Sequence, residues 1–236
     1  MIRVVIVDDE RPAREELAAL LAELGDCEVV GSCGDPVTAI RTVNRLRPDV
    51  LFLDIKMPVL GGFELLAMID ADIMPQVVFV TAYDDYALQA FEEQTLDYLV
   101  KPVAQERLAR TLEKLRRVLP SDPHPVYPAV GIDRIPCLCG NRIKLVPPAE
   151  TELVRSDLAG VHVLTAQGEY FTELTLKVLE SQAGLLRCHK QYLINPAAVD
   201  EIALLPNELA EIRTRSGRTV PVSRRYLKQL KGRFGI

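Results

Sequence analysis

The sequence predicts two domains of different class: a doubly wound α/β domain of five parallel strands over residues 1–118, then a mainly-β domain over residues 132–236. Three observations carry this expectation. Short apolar runs rich in β-branched residues alternate with helical periodicities in the first half, the pattern of strands covered on both faces by helices. A stretch with four prolines in ten residues, 119–128, follows. Missing N–H groups and fixed φ angles deny it both a helix and a central strand, so residues 119–131 form an extended linker. Beyond it the runs become short and alternating, broken by turn dipeptides at Gly140-Asn141, Gln167-Gly168, Pro206-Asn207 and Ser216-Gly217.

The first strand is Ile2–Val7, followed by a helix whose Leu17, Leu20, Leu21 and Leu24 recur at helical spacing. A weaker strand at Glu28–Ser32 leads to a helix opened by Asp35-Pro36, with Val37, Ile40, Val43 and Leu46 on one face. Strands at Val50–Leu53, Val77–Val80 and Asp97–Val100 follow, and Leu108, Leu112, Leu115 and Leu119 mark the last helix. Five strands alternating with five helices give right-handed crossovers and a doubly wound sheet. In the second half, strands are expected at Arg142–Val146, Val161–Thr165, Ala198–Leu204, Glu208–Arg213 and Arg218–Val222. Short helices are expected at Thr175–Gln182, ended by Gly184, and at Ser223–Lys231, with Ser223 as N-cap. Residues 185–195 alternate as a strand or extended loop with one basic face.

Composition agrees with two packed domains. Of 236 residues, 48% are hydrophobic and 26% charged, which excludes collagen-like, low-complexity and wholly disordered chains. Acid at Asp8, Asp9 and Glu10 directly after a short apolar run excludes a secretory leader, and no run approaches a membrane span. A cytoplasmic protein without membrane insertion is expected. Five cysteines, an odd number, suit reduced thiols, and Cys137-Leu-Cys139 lacks a second pair at zinc spacing. The net charge of −5 divides unevenly, −8 over residues 1–120 and +3 over 121–236. From Arg187 onward ten basic residues face four acidic ones, a balance that suits an anionic partner.

In an open parallel sheet, ligands gather at the carboxyl ends of the strands. There the sequence places Asp8-Asp9, Asp54, Thr81 and Lys101-Pro102. Three carboxylates brought together repel by roughly 4 kcal/mol per pair at ~4 Å, so such a cluster calls for a divalent cation, and hard oxygen donors suit Mg²⁺. Asp54 is then placed to attack a phosphoryl donor in line, with the Thr81 hydroxyl and Lys101 ammonium serving the oxygens of the transferred group. The Lys101–Pro102 bond is a candidate for the cis form.

These residues, in the motifs VDDE at 7–10, LFLDIKMP at 51–58, VTAY at 80–83 and DYLVKP at 97–102, resemble the receiver domain of bacterial two-component response regulators, a CheY-like fold. The resemblance implies that Asp54 is the phosphoacceptor and Asp9 a direct Mg²⁺ ligand. It makes Asp8 a largely water-mediated ligand and the Lys56 backbone carbonyl a third protein ligand. Thr81 and Lys101 would bind the phosphoryl group, and Tyr98 would be the switch aromatic. A haloacid-dehalogenase-type phosphotransferase needs a second Asp two positions after the nucleophile, where this chain has Lys56. Sustained turnover is therefore not expected, and the protein is no enzyme beyond self-phosphotransfer and slow self-dephosphorylation.

In the basic half, Arg224 and Arg225 open a helix, where cations oppose the helix dipole unless phosphates or guanine edges meet the same end. The motifs LLRCHKQYLIN at 185–195 and VPVSRRYLKQLK at 220–231 resemble the LytTR DNA-binding domain, a ten-strand β fold that reads DNA with loops. Family base contacts would fall on His189, Asn207 and Arg224, and phosphate contacts on Arg187, Lys190 and Arg225. The whole-chain order is similar to that of the BtsR (YehT) subgroup. What this implies is a transcription factor phosphorylated by a membrane sensor histidine kinase, forming a homodimer and binding direct repeats in promoter DNA. The dimer surface would lie in residues 84–118, with Asp84, Asp85, Lys101, Arg107, Arg110, Arg116 and Arg117 as complementary charges. The competing expectation is a phospho-dependent protein-interaction scaffold without sequence-specific DNA binding.

Overall fold

The computed structural model describes residues 1–82, 95–120, 125, 127, 131–206 and 209–235. The chain forms two compact units, Met1–Val130 and Gly131–Ile236.

The first unit runs β1 (Ile2–Val7), α1 (Arg11–Leu24), β2 (Cys27–Cys33), α2 (Pro36–Leu46), β3 (Val50–Leu53), α3 (Gly62–Ala67), β4 (Gln76–Thr81), β5 (Asp97–Val100) and α4 (Gln105–Val118). The strands are all parallel, in the order β2-β1-β3-β4-β5, so the expected doubly wound sheet is present. β3 and β4 are buried along their whole length, which explains why their sequences are apolar without alternation. Four helices are described, and the expected fourth of five falls in residues 83–94, outside the described residues. α2 starts where expected: the Asp35 carboxylate accepts from the Thr38 amide at 2.8 Å, and Pro36 occupies the first turn. The linker expectation is modified at Tyr127, whose hydroxyl accepts the Val77 amide of β4 at 3.0 Å.

The second unit contains β6 (Ile135–Cys139), β7 (Arg142–Val146), β8 (Thr151–Asp157), β9 (Gly160–Thr165), β10 (Gly168–Thr172), α5 (Leu176–Gln182), β11 (Leu186–His189), β12 (Tyr192–Ile194), β13 (Val199–Leu205), β14 (Leu209–Thr214), β15 (Thr219–Val222) and α6 (Arg224–Phe234). Seven strands form an antiparallel sheet ordered β11-β12-β8-β9-β10-β6-β7, and β13-β14-β15 form a smaller one. The segment 185–195, expected as strand or extended loop, is the hairpin β11–β12. Ala210, Ile212, Val220, Val222, Leu227 and Leu230 share one core with Leu153, Cys188 and Ile194, so α6 and the small sheet pack on β8, β11 and β12. A polar brace spans the same junction. Ser216 Oγ and the Arg218 guanidinium both donate to the buried Glu152 carboxylate, and Arg218 also donates to the Thr165 carbonyl at 2.9 Å.

Ser223 stands at the N-cap position of α6, but its side chain makes no capping bond. Its backbone carries the start instead: the Ser223 amide donates to the Cys188 carbonyl at 3.0 Å, and its carbonyl accepts from the Tyr226 and Leu227 amides. All five cysteines are free thiols. No helix among the described residues is long and apolar enough to cross a membrane.

Candidate functional sites

Parallel pairing brings the carboxyl ends of β1, β3, β4 and β5 to one edge. The Asp8 amide donates to the Cys33 carbonyl, the Asp54 amide to Val7 at 2.9 Å, and the Lys101 amide to Thr81 at 2.9 Å. Each residue is thus held by the last rung of a ladder while its side chain leaves the sheet. Carboxylate oxygens of Asp8, Asp9 and Asp54 lie within 4.8 Å of one another, with Asp8 and Asp54 buried and Asp9 exposed. Lys101 Nζ reaches into them, 2.6 Å from Asp8, 2.9 Å from Asp54 and 3.6 Å from Glu10. The Lys101–Pro102 peptide is cis.

Burial pushes the Asp8 carboxyl above its usual range, against the pull of Lys101 and the Glu10 amide. Burial alone depresses Lys101, yet its hydrogen bonds to Asp8 and Asp54 outweigh that and raise it. The site is carboxylate-rich, with one ammonium set among Asp8, Glu10 and Asp54. Its hard oxygen donors, the carboxylates of Asp8, Asp9 and Asp54, are of the kind that suits a Mg²⁺ ion. The Lys56 amide donates to Asp54 Oδ1 at 3.3 Å, which turns that loop toward the acid. Thr81 is wholly buried, and its hydroxyl has no hydrogen-bond partner among the described residues. Such a group is costly unless an incoming ligand satisfies it. Tyr98 is half-buried on β5, and its carbonyl accepts from Arg107.

Gly62 lets α3 lie against the acceptor. A Cβ there would stand 2.6 Å from the Asp54 carbonyl and 3.2 Å from the Phe79 ring. Two residues at this edge were not singled out by sequence reasoning. Glu10 precedes α1 without capping it and faces Lys101 instead. Arg14, one turn into α1, donates to the Asp8 carbonyl at 2.6 Å and lies close against Gly34. The legible signal was spacing: a residue four after the N-cap returns over the loop that precedes the helix.

In the second unit, the Ser223–Cys188 bond joins the start of α6 to β11, which brings Arg224 and Arg225 next to the β11–β12 turn that carries His189 and Lys190. Arg224, Arg225 and Lys190 are exposed. Arg225 stacks 5.4 Å from the Tyr226 ring centroid. Burial and the Lys190 charge lower the His189 pKa, so the ring is neutral at pH 7. Its Nδ1 accepts from the Gln191 amide at 3.2 Å, which leaves the proton on Nε2 as an outward donor. Arg187 departs from the free cation a phosphate contact needs. Its side chain is 13% exposed, pairs with Glu180 at 2.9 Å and donates to the Lys190 carbonyl, so it braces the hairpin. Asn207 lies outside the described residues.

The expected dimer charges divide similarly. Lys101 belongs to the acidic site, Arg107 pairs with Asp97 and Arg116 with Asp26, each at 2.6 Å, while Arg110 and Arg117 are exposed. Asp84 and Asp85 lie outside the described residues.

Residues 4–113 match the response regulator receiver domain family, and residues 141–235 match the LytTr DNA-binding domain family. An uncharacterized response regulatory protein of Vibrio cholerae is 52% identical over 236 residues, covering 100% of both chains. The transcriptional regulatory protein BtsR of Escherichia coli is 48% identical over 239 residues, again covering 100% of both. Among solved structures, the response regulatory domain of mrkE from Klebsiella pneumoniae is 31% identical with a TM-score of 0.46, covering 51% of this chain and 100% of that one. A LytTr DNA-binding domain from Bacillus cereus is 16% identical with a TM-score of 0.43, covering 45% and 100%.

Proposed function

The chain belongs to the response regulators that join a receiver domain to a LytTR DNA-binding domain, and from that membership we propose that phosphorylation of Asp54 by a sensor histidine kinase controls its binding to promoter DNA. The observation that carries this reading is the meeting at one sheet edge of Asp54, the Lys101 ammonium and the Thr81 hydroxyl, which has no partner among the described residues.

An Asp54 carboxylate oxygen attacks the phosphorus of a phosphohistidine. The P–N bond breaks as the acyl phosphate O–P bond forms, and the imidazole leaves with the electron pair and takes up a proton. Mg²⁺, when bound, neutralises the carboxylates and the phosphoryl oxygens. Lys101 releases Asp54 to the new bond and pairs with a phosphoryl oxygen, while Thr81 turns its hydroxyl to another. Asp9 and the Lys56 carbonyl would hold the ion directly, and Asp8 would hold it largely through water. Tyr98 then follows Thr81 inward as the switch aromatic. Moving a receiver from 1:99 to 99:1 active takes about 5.5 kcal/mol of differential stabilisation, and a dianion bound by these groups is the source.

In the DNA-binding domain, His189, Asn207 and Arg224 contact bases, and Lys190 and Arg225 contact phosphates. Arg187 acts through the hairpin it braces. Phosphorylated receivers pair as a homodimer on direct repeats. The test is footprinting on promoter fragments with and without acetyl phosphate plus Mg²⁺, comparing wild type with Asp54→Ala. Donor-dependent protection in the wild type alone is expected. Protection that ignores the donor overturns the switch, and no protection on any fragment leaves the scaffold reading.

A further inference from the structure

We propose that the leucine-floored groove between the β13–β14 tip and α6 is an apolar contact surface for duplex DNA, so that affinity there has a part that salt does not screen. This rests on the reading that the second domain binds DNA. The groove is lined by Leu204, Leu205, Leu209, Arg224, Leu227, Lys228 and Lys231 and measures ≈ 540 Å³, well within the size of ligand-binding hollows.

Single exposed leucines need no explanation, but these are grouped. Leu204, Leu205 and Leu209 are 59%, 40% and 44% exposed, three of the seven large hydrophobic side chains that stand in water among the described residues. Leu205 and Leu209 are cross-strand partners at the tip, so the pair stands together on one rung. The opposite wall is α6, where Leu227 is buried as the floor and Arg224, Lys228 and Lys231 recur at i, i+4 and i+7 on the rim. No carboxylate among the described residues lines the groove.

Charge complementarity selects the occupant. Three cations around an apolar floor, with no counter-anion among the described residues, call for a partner carrying regularly spaced anions beside apolar surface. Duplex DNA offers phosphates flanking base and sugar edges, and apolar side chains seat against those edges or between base steps. Arg224, the expected base contact, forms part of the wall, so the same approach of DNA that seats Arg224 covers the leucines.

The experiment uses the full chain and a duplex that the phosphorylated wild type selects from a randomised pool. Affinity is measured across a salt series for wild type, for Leu204→Asn with Leu209→Asn, and for Lys228→Ala with Lys231→Ala. Exposed leucines at a hairpin tip tolerate asparagine, and an unchanged thermal midpoint verifies this. We expect the leucine variant to lose about 10–30-fold in affinity with the same slope of log K against log salt. The lysine variant has a slope shallower by about 1–2. Wild-type affinity in the leucine variant overturns the inference and leaves the DNA reading intact, and so does a loss of self-association in place of affinity, which assigns the groove to a second copy. A pool that yields no bound duplex overturns both.

Discussion

Strand β5 has a buried ion cluster at each end, and the two are inverses. At its start one carboxylate, Asp97, is held by two cations: Arg107 donates to both oxygens at 2.7 and 2.6 Å, and Lys114 reaches one at 3.1 Å. The Thr111 hydroxyl adds a bond at 2.7 Å. Just past its other end one cation, Lys101, stands among three carboxylates. The first cluster is saturated and needs nothing further. The second leaves acid in excess and the buried Thr81 hydroxyl without a partner among the described residues. Completeness at one end and deficiency at the other distinguish structure from function more sharply than burial or charge content, since both ends are buried and charged.

Removing Asp97 gives the largest expected effect. Asp97→Ala leaves Arg107 and Lys114 beside an apolar site, and breaking a buried pair costs several kcal/mol. Arg107 and Lys114 side chains are 39% and 51% exposed, so solvent screening reduces the loss to about 2–3 kcal/mol, measured by denaturant unfolding. The same residue sets an acid limit. Burial raises the Asp97 carboxyl, but its bonds to Arg107, Thr111, Lys114 and the Tyr98 amide outweigh that and hold it well below the usual range. A depressed folded-state pKa adds stability that is complete above the ordinary carboxylate value near about 4 and is lost as pH falls below it. The wild-type unfolding midpoint drops across that window, and Asp97→Ala flattens the drop.

At the opposite end the sign reverses. The raised pKa of Asp8 means its ionised form costs stability once pH rises through that value. Asp8→Asn therefore stabilises the receiver at pH 7, and added Mg²⁺ raises the wild-type midpoint more than the variant's. A variant less stable than wild type, with an undiminished Mg²⁺ response, breaks the comparison. The smallest expected change lies in the loop after Asp54. Val59 has φ +76°, a conformation that crowds a β-branched residue, and it is exposed. Val59→Asn raises stability by about 0.5–1 kcal/mol, read from the same denaturant curves.

Legibility in the sequence followed locality. β1, β3 and β5 have their predicted bounds: β3 is an unbroken apolar run buried throughout, β1 breaks its run only at Arg3, and β5 is the short run Tyr98-Leu99-Val100 led by Asp97. The order acid pair, Asp, Thr, Lys marked the edge site because parallel pairing carries consecutive strand ends to one place. β6, β8 and β10 were not predicted. β6 carries Pro136 and pairs with β10 only at Cys137 and Leu138, so a proline fits where a continuous ladder would refuse it. β8 hides its buried run behind Glu152, whose partners Ser216 and Arg218 are 64 and 66 residues away. Arg187 looked like a free cation for a different reason: Glu180 is only seven residues back, but a helix end and a turn separate the two, so no single periodicity pairs them. Long-range pairing is what single-chain patterns leave unwritten.

The brace of Glu152, Ser216 and Arg218, with the Ser223–Cys188 bond, fixes the frame from inside while His189, Arg224 and the leucine tip stand outside it. On the proposed DNA contacts, drift at the tips retargets such a regulator to new operators without refolding it. Relatives that keep the frame are free to diverge in the genes they govern, and grafting tips between them is the direct route to reprogramming one.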